Sequence, residues 1–473
     1  MVVRCRVVGA LCRNAPVAEH ADAVVMAMTA DLKRDAPRHD GQGFRGTAWF
    51  VIGLPLLPVL LLRMIPDLAA MTSTASTLRL LAVHAGLLGF VSFALTLVLG
   101  ARFAVVERMF ISLDRMYRFH RRLAGAVAAA LVVHVVLMLA AVVTAGDPVT
   151  TMLRPDPQWR VFAGVLGFVG FAAVIVVTTV VRLRHEAFLR VHRLFGVVFA
   201  AGALHALRVP AFLAQSPWLN GYLLLVTAAG VAAWFYRSGL GRTLVRRHYY
   251  EVAAINAVRP DVTEVTLVPL EQPLVFAPGQ LAFIGVDDEA VGRELHPFSI
   301  TSTPDESELR MVVKAVGDFT TGLREVVPGS MVRVEGPYGG FWRGGRAYRR
   351  QVWIAGGIGV TPFLSIARSL RSDAYDIDFF YCTEDADAAV FLDELYEIAD
   401  RHPRLRVIPI RADTMGFLSA DDVLAVCGDL SRSHVFMCGP PAMIEALTAQ
   451  FREHGVDGTR IHYEDFRLRP RQG

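Results

Sequence analysis

Cysteine is scarce: the five in 473 residues (Cys5, Cys12, Cys382, Cys427 and Cys438) show no clustered metal-ligand spacing. That pattern argues against a disulfide framework, a structural zinc site and an iron–sulfur cluster. Charge is thin as well. Asp, Glu, Lys and Arg supply 19% of the residues against 53% hydrophobic ones, and the mean hydropathy of +0.41 is not that of a soluble enzyme. Internal repeats and low-complexity tracts are absent. The first 45 residues lack the apolar core of a signal peptide. They read as a mobile cytoplasmic arm, or as an over-long gene start with Met26 and Met28 as alternatives.

What the chain has in quantity is unbroken apolar sequence, up to about residue 236. Uncharged stretches cover Gly46–Leu62, Leu80–Ala101, Leu123–Ala145, Val161–Val181, Leu194–Leu207 and Trp218–Tyr236, against the roughly 20 residues that a transmembrane helix needs. Six spans are therefore predicted. The fifth is short, and snorkelling of Arg190, Arg193 and Arg208 toward the headgroups extends it. Arg102, Arg108, Arg115, Arg118, Arg121 and Arg122 crowd the second connection, and Arg182, Arg184, Arg190 and Arg193 the fourth. By the positive-inside rule the even-numbered connections and both termini are cytoplasmic, in agreement with Arg237, Arg242, Arg246 and Arg247 after the last span. The net charge of +4 thus reflects topology and calls for no nucleic-acid partner. The expected location is the inner (plasma) membrane, with the chain crossing it several times.

Two spans carry paired histidines. His120 and His134 lie 14 residues apart and His192 and His205 lie 13 apart, separations of about 20 Å along a helix in a hydrocarbon core about 30 Å thick. Ionisable side chains at membrane depth are costly and usually functional. Because the third and fifth spans run the same way, the four rings fall at two depths, which is room for two stacked b-type haems. His120 and His192 would ligate the inner iron, His134 and His205 the outer one. At 3.6 residues per turn, a spacing of 13 leaves the second ring well off the face of the first. The fifth helix must therefore bend or its histidines use different rotamers, and Gly196 and Gly202, which lie between them, could permit that. Arg121, Arg122 and Arg193 are either propionate partners or plain positive-inside charges. His84, alone in its stretch, reads as a packed residue with one satisfied hydrogen bond.

From about Tyr249 short β-branched runs alternate with Pro and Gly punctuation, the pattern of a small antiparallel barrel. Within it stand His296-Pro297-Phe298-Ser299-Ile300-Thr301-Ser302 and Gly317-Asp318-Phe319-Thr320-Thr321-Gly322. A strand offering a ring, hydroxyls and backbone amides can hold the edge of a flavin, and a Gly/Thr turn opening a short helix can bind a pyrophosphate. After Gly336-Pro337-Tyr338-Gly339 the period changes to strand–helix alternation. QVWIAGGIGVTPFLSIARSL reads as a buried strand, a glycine turn and a helix starting near Pro362, an arrangement suited to a dinucleotide phosphate. A later strand ends on Cys438-Gly439-Pro440, and ligands bind at that carboxyl edge in open α/β sheets.

These segments, with the closing His462-Tyr463-Glu464-Asp465-Phe466, follow the order seen in the ferredoxin–NADP reductase superfamily. Joined to a six-helix core with paired histidines, they make the chain resemble the ferric reductase/NADPH oxidase family over roughly residues 46–466. The resemblance implies a multidomain membrane protein: an arm over 1–45, a six-helix transmembrane bundle holding haem over 46–236, an antiparallel β-barrel FAD domain over 247–345 and an α/β nucleotide-binding domain over 350–473. It also implies that Phe298 borders the flavin ring, Ser299 approaches its N5 and His296 lies near the pyrophosphate, with Pro297 in the same strand. Thr301, Ser302, Gly317, Phe319 and Thr320 would complete the FAD site. Gly356, Gly357, Gly359, Thr361 and Pro362 would line the nicotinamide nucleotide, NADH or NADPH, with Cys438, Gly439 and Pro440 near its ring. Phe466 would be the terminal aromatic that stacks on the flavin. Ser299, Cys438 and Phe466 are the residues expected at the reacting atoms.

The expected function is electron transfer from cytoplasmic NAD(P)H through FAD and two haems to a small acceptor across the membrane, oxygen or a ferric chelate. No protein partner is required. The outer connections, roughly 63–79, 146–160 and 208–217, contain no Cys or His cluster and are too short for a substrate domain. Glu384 and Asp385 after the second nucleotide-domain strand would repel a 2′-phosphate and favour NADH, whereas Arg411, were it to reach that turn from a neighbouring loop, would favour NADPH. Two rival classes are a donor to a quinone or periplasmic redox protein, and a haem-binding sensor or transporter without reductase activity.

Overall fold

A computed structural model describes residues 53–464 apart from short stretches at 64–72, 111–112, 151–159, 184, 209–215, 240, 242–244, 289–290, 292–293, 343–344 and 372–373. The arm over 1–45, the start of the predicted first span, and Phe466 lie outside the described residues. The chain falls into two compact units: Met1–Val98, Arg121–Leu183 and Ala187–Trp234 in one, Leu99–His120, Arg184–Glu186 and Phe235–Gly473 in the other.

The helices are α1 (Leu54–Arg63), α2 (Thr74–Gly100), α3 (Ala104–Phe110), α4 (Leu113–Thr144), α5 (Arg160–Val180), α6 (His185–His192), α7 (Phe195–Arg208) and α8 (Pro217–Trp234). Among the described residues five helical segments are long and apolar enough to cross a membrane: Thr74–Gly100, Arg115–Thr144, Val161–Val180, Ala187–Arg208 and Pro217–Gly239. They coincide with the second to sixth predicted spans. The described part of the first predicted span is the ten-residue α1, so the count of six goes beyond what these residues carry. Half of the most apolar window of α2 (50%) is buried, against 22–28% in the other four. Thus α2 is the most buried of the five, and the others present faces such as Val136, Val169 and Leu225 outward, which suits a hydrocarbon solvent. An aromatic cluster fills the interior of this unit. Phe90 stacks on Phe199 at 5.0 Å and Phe93 meets Phe171, Phe195 and Phe199 edge-on.

One predicted feature is relocated. The helix with His120 and His134 is described over Leu113–Thr144, ten residues ahead of the uncharged stretch: charge does not stop a helix that leaves the hydrocarbon. The bend in the fifth span is present, but at Arg193–Leu194, between α6 and α7. There the N–H groups of Leu194 and Gly196 bond carbonyls three residues back, Val191 and Arg193. Each residue in such a tightened turn advances about 20° more than in an α-helix, carrying His205 back toward the face of His192. Glycine freedom is not the cause. Gly196 serves a neighbour, because a Cβ there would lie 2.2 Å from the Trp234 indole, whose Nε1 donates to the Arg193 carbonyl at 2.8 Å.

The second unit holds two sheets. The first contains β1 (His248–Arg259), β2 (Val262–Pro269), β3 (Leu281–Val286), β4 (His296–Ser299), β5 (Leu309–Lys314) and β6 (Met331–Tyr338), in the order β4-β3-β6-β1-β2-β5. All its pairings are antiparallel. The sheet curls until Ile300, just past β4, bridges Met311 on β5, which is the barrel-like closure expected. A short helix, α9 (Asp318–Gly322), follows β5. The second sheet is parallel, β7 (Arg350–Gly356), β8 (Asp376–Thr383), β9 (Leu405–Arg411), β10 (His434–Cys438) and β11 (Ile461–Glu464) in the order β11-β10-β7-β8-β9. Helices α10 (Thr361–Arg368), α11 (Leu392–Arg401), α12 (Ala420–Cys427) and α13 (Pro441–Glu453) connect its strands. Strand order reverses between β7 and β10, so the crevice at their carboxyl ends is the topological switch point.

Candidate functional site

In the helical unit α4 and α7 bring His134 and His205 together, with ring centroids 6.1 Å apart and planes at 66°. His134 Nδ1 lies 2.7 Å from the Ala82 carbonyl oxygen. A carbonyl only accepts, so Nδ1 carries the proton and Nε2 keeps its lone pair, the tautomer that metal-ligating histidines adopt. First-row metals bond imidazole nitrogen at about 2 Å, and rings at this separation accommodate one atom between them. Among the described residues no group of three or more His, Cys, Asp or Glu could hold a metal ion. A metal seated on two imidazoles would bring its own equatorial ligands, and haem iron does. The donor set therefore fits that group. His192 stacks on Phe188 at 5.2 Å and meets Phe195 edge-on at 5.1 Å. It belongs to the helical unit and His120 to the other. His84 Nδ1 lies 2.8 Å from the Leu80 carbonyl, one turn back on α2, as expected for a packed residue.

In the curled sheet His296, Pro297, Phe298 and Ser299 form β4, paired with Ile284, Phe283, Ala282 and Leu281 of β3. His296 stacks on Phe319 of α9 at 4.0 Å, and Phe298 lies 6.1 Å from the same ring. The imidazole faces Glu294 at 3.6 Å. Ser299 and Thr301 are buried, and Ser299 Oγ and Thr301 Oγ1 have no hydrogen-bond partner among the described residues. Buried hydroxyls are nearly always bonded, so two such atoms at the end of a strand with a ring platform fit a polar-edged aromatic ligand such as a flavin. Other predicted residues have structural duties. Ser302 Oγ accepts from Arg310 N, and its carbonyl accepts from Ser365 Oγ of α10 at 2.8 Å. The Thr301 carbonyl accepts from Arg368 at 2.7 Å. Thr320 Oγ1 accepts from the N–H groups of Val316 and Gly317, which builds the turn at the start of α9.

At the switch point the glycines of β7 and β10 interlock. A Cβ on Gly359 would stand 2.2 Å from the Cys438 carbonyl oxygen, one on Gly356 2.6 Å from Pro440, and one on Gly439 2.9 Å from Gly356 N. Gly357 has φ of +54°, a backbone region closed to most side chains. Thus Gly356, Gly359 and Gly439 let two turns touch and Gly357 shapes the loop before α10, where Thr361 and Pro362 open the helix. Cys438 is fully buried. At the end of β8, burial pushes the Cys382 thiol up to about 12. Glu384 and Asp385 beyond it are exposed, and Arg411 pairs with Thr383 across β8 and β9.

Sequence reasoning missed a charged cluster in the second unit. Glu107 of α3 is buried and accepts from Gly339 N at 2.5 Å. Glu335, 1% exposed, accepts from Arg237 at 2.7 Å and from the Tyr338 hydroxyl at 2.8 Å. The Arg102 guanidinium lies 4.3 Å from the Phe283 ring centroid. Its φ of +58° is rare for a non-glycine residue. Burial pushes the Glu335 carboxyl up, but the charges of Arg237 and Arg102 and the bonds from Arg237 and Tyr338 outweigh it, leaving the group below the usual carboxylate range. Burial, then the Glu335 charge, pushes the Tyr338 phenol up. Arg102, Glu107, Gln280, Tyr338 and Arg246 line a cavity of about 490 Å³ here, within the size range of small-molecule sites. The sequence signal was weak, an acid in an arginine-rich connection whose charge is accounted for by topology alone.

Comparison with known proteins matches residues 85–203 to the ferric reductase like transmembrane component, 248–341 to an FAD-binding domain and 353–449 to the oxidoreductase NAD-binding domain. The chain is 26% identical over 231 residues to the reductase component of propane 2-monooxygenase from Rhodococcus jostii, a match covering 46% of this chain and 62% of that protein. It is 29% identical over 238 residues to dual oxidase 2 from Rattus norvegicus, covering 46% of this chain and 15% of the relative. A solved cytochrome P450 reductase from Amycolatopsis aligns with a TM-score of 0.42 and 27% identity, over 47% of this chain and 70% of the other. This chain thus spans less than two thirds of the length of either relative named by sequence.

Proposed function

We propose that this chain, which belongs to the ferric reductase/NADPH oxidase family, is an NAD(P)H-dependent oxidoreductase that carries electrons across a membrane. The observation that carries the reading is the His134–His205 pair, 6.1 Å apart inside an apolar helix bundle, in one chain with an FAD-binding domain and an NAD-binding domain. When bound, FAD would take a hydride from NAD(P)H and two b-type haems would accept its electrons singly.

The chain's own residues supply positions. His120 and His192 hold the inner group, His134 and His205 the outer one, and the Ala82 carbonyl sets the His134 tautomer. Phe298, His296 and Phe319 present rings to the flavin, while the unbonded hydroxyls of Ser299 and Thr301 meet its polar edge. Gly356, Gly357 and Gly359, with Thr361 and Pro362, shape the floor for the dinucleotide, and Cys438 and Phe466 flank the flavin and nicotinamide rings. The working domains are 46–236 for haem, with 46–62 as a sixth span, 247–345 for FAD and 350–473 for the nucleotide. Both termini face the cytoplasm of a cell whose plasma (inner) membrane the chain spans.

The acceptor is small: oxygen, giving superoxide, or a ferric chelate. An anaerobic absorption spectrum of the purified chain tests the reading. Bis-histidine b-type bands should be present and should shift to the ferrous form on adding NADH or NADPH. Absence of those bands would refute it. In proteoliposomes, turnover that needs a quinone or a periplasmic protein would refute the assigned acceptor alone.

A further inference from the structure

The outer histidine rings each rest on a glycine of another helix. A Cβ built on Gly86 of α2 would stand 2.7 Å from His134 Nδ1, and one built on Gly164 of α5 would stand 2.7 Å from His205 Nδ1. The geometry points to Gly86 and Gly164 as a matched pair of positioning residues that seat the two axial imidazoles of the outer haem. This rests on the reading of His134 and His205 as iron ligands.

Size decides the argument. An ordinary Cβ contact begins at 3.4 Å, so alanine at either position displaces the ring by about 0.7 Å, beyond the roughly 0.5 Å within which a binding group must be held. The nearest atoms at both positions belong to the imidazole and not to backbone, with Cγ of His205 itself 2.9 Å away, so the ring must swing as a whole about its bonds to the helix to relieve the contact. At Gly86 the same push acts on the nitrogen that lies 2.7 Å from the Ala82 carbonyl, the contact that fixes the ligating tautomer. Not every glycine of the bundle does this. Gly125 on α4 and Gly221 on α8 are exposed, and nothing stands within 4 Å of a Cβ built on them.

The test compares Gly86→Ala and Gly164→Ala with Gly125→Ala and Gly221→Ala in the full-length purified protein. Haem per chain is counted by pyridine haemochrome, the ferric protein is examined by electron paramagnetic resonance, and each haem is titrated potentiometrically. Wild type and both controls should hold two haems with identical low-spin ferric signals. Each of the two test variants should lose one haem, or shift the signal and potential of one haem while the other is unchanged, because that signal depends on the angle between the axial ring planes. Two haems with unaltered signals and potentials in either test variant would overturn the inference of a matched pair while leaving the proposed function standing. A wild type without bis-histidine haem would overturn that function first. The two substitutions act on different helices, so each carries the test alone.

Discussion

At the scale of single residues the chain relies on buried carboxylates held ionised by arginine. Glu335 is one, clasped by Arg237 and Tyr338. Asp378 is another, fully buried on β8 and bonded to Arg350 and Arg406. Burial pushes the Asp378 carboxyl up, and bonds from Arg406, Cys427 and Arg350 bring it below its ordinary value. For carboxyls depressed on folding, the stability gained is present above the unfolded value of about 4 and is lost as pH falls through the folded one. Acid unfolding should therefore begin below about pH 5. Replacing Glu335 by Gln removes the negative partner of a buried pair, a loss of about 3–5 kcal/mol for full burial. Arg237 retains 26% exposure, so the lower end applies. Calorimetry should show a Tm lower by several degrees, with a shallower decline in acid. A variant that unfolds at the wild-type temperature throughout would show that the pair contributes nothing.

At the scale of elements, two local geometries bear on the proposed function. The tightened turn at Arg193–Leu194 turns His205 part of the way back toward the face of His192. Deleting Val197, past that turn, would rotate everything after it by about 100°, farther from that face. On the proposed ligation, haem content should fall by at least one per chain, whereas a one-residue deletion in the connection between α7 and α8, after both ligands, should spare it. Equal haem in both would mean that ligation does not depend on the phase of these two histidines. The second geometry is the end of β8, where exposed Glu384 and Asp385 would favour ribose hydroxyls and Arg411 is the partner of Thr383 on the neighbouring strand β9. NADH should have the higher kcat/KM. Arg411→Ala should widen the gap by weakening NADPH about tenfold, the worth of about 1.4 kcal/mol. A wild-type kcat/KM tenfold higher with NADPH than with NADH would reverse the assignment.

At the scale of the whole molecule the proposed order of cofactors makes histidine substitutions inequivalent. His134→Leu or His205→Leu should leave reduction of the flavin and of one haem by NADH intact and abolish transfer to an impermeant acceptor across a proteoliposome membrane. His120→Leu or His192→Leu should stop electrons at the flavin. Stopped-flow absorbance separates the steps. Full transmembrane transfer in His134→Leu would exclude a route through that ligand.

Residue order alone determined the division into an apolar half and a strand-rich half, five of the spans, the two kinds of sheet and the histidines that meet in the bundle. Each of these is written as a period or a run length, and burial of apolar surface follows such local patterns. The predicted first span falls mostly outside the described residues, and Phe466 wholly so. Tertiary structure alone decided the break at Arg193–Leu194, the contacts of Gly86 and Gly164 with imidazole rings, the interlock of Gly356, Gly359 and Gly439, and the Glu335 cluster. Beside their local bonds, each of these features depends on a contact between positions tens of residues apart or more, Trp234 with Arg193 and Arg237 with Glu335 among them. A glycine or a lone acid leaves no periodic trace of what will be packed against it, and only the folded chain supplies the neighbour that gives it a role.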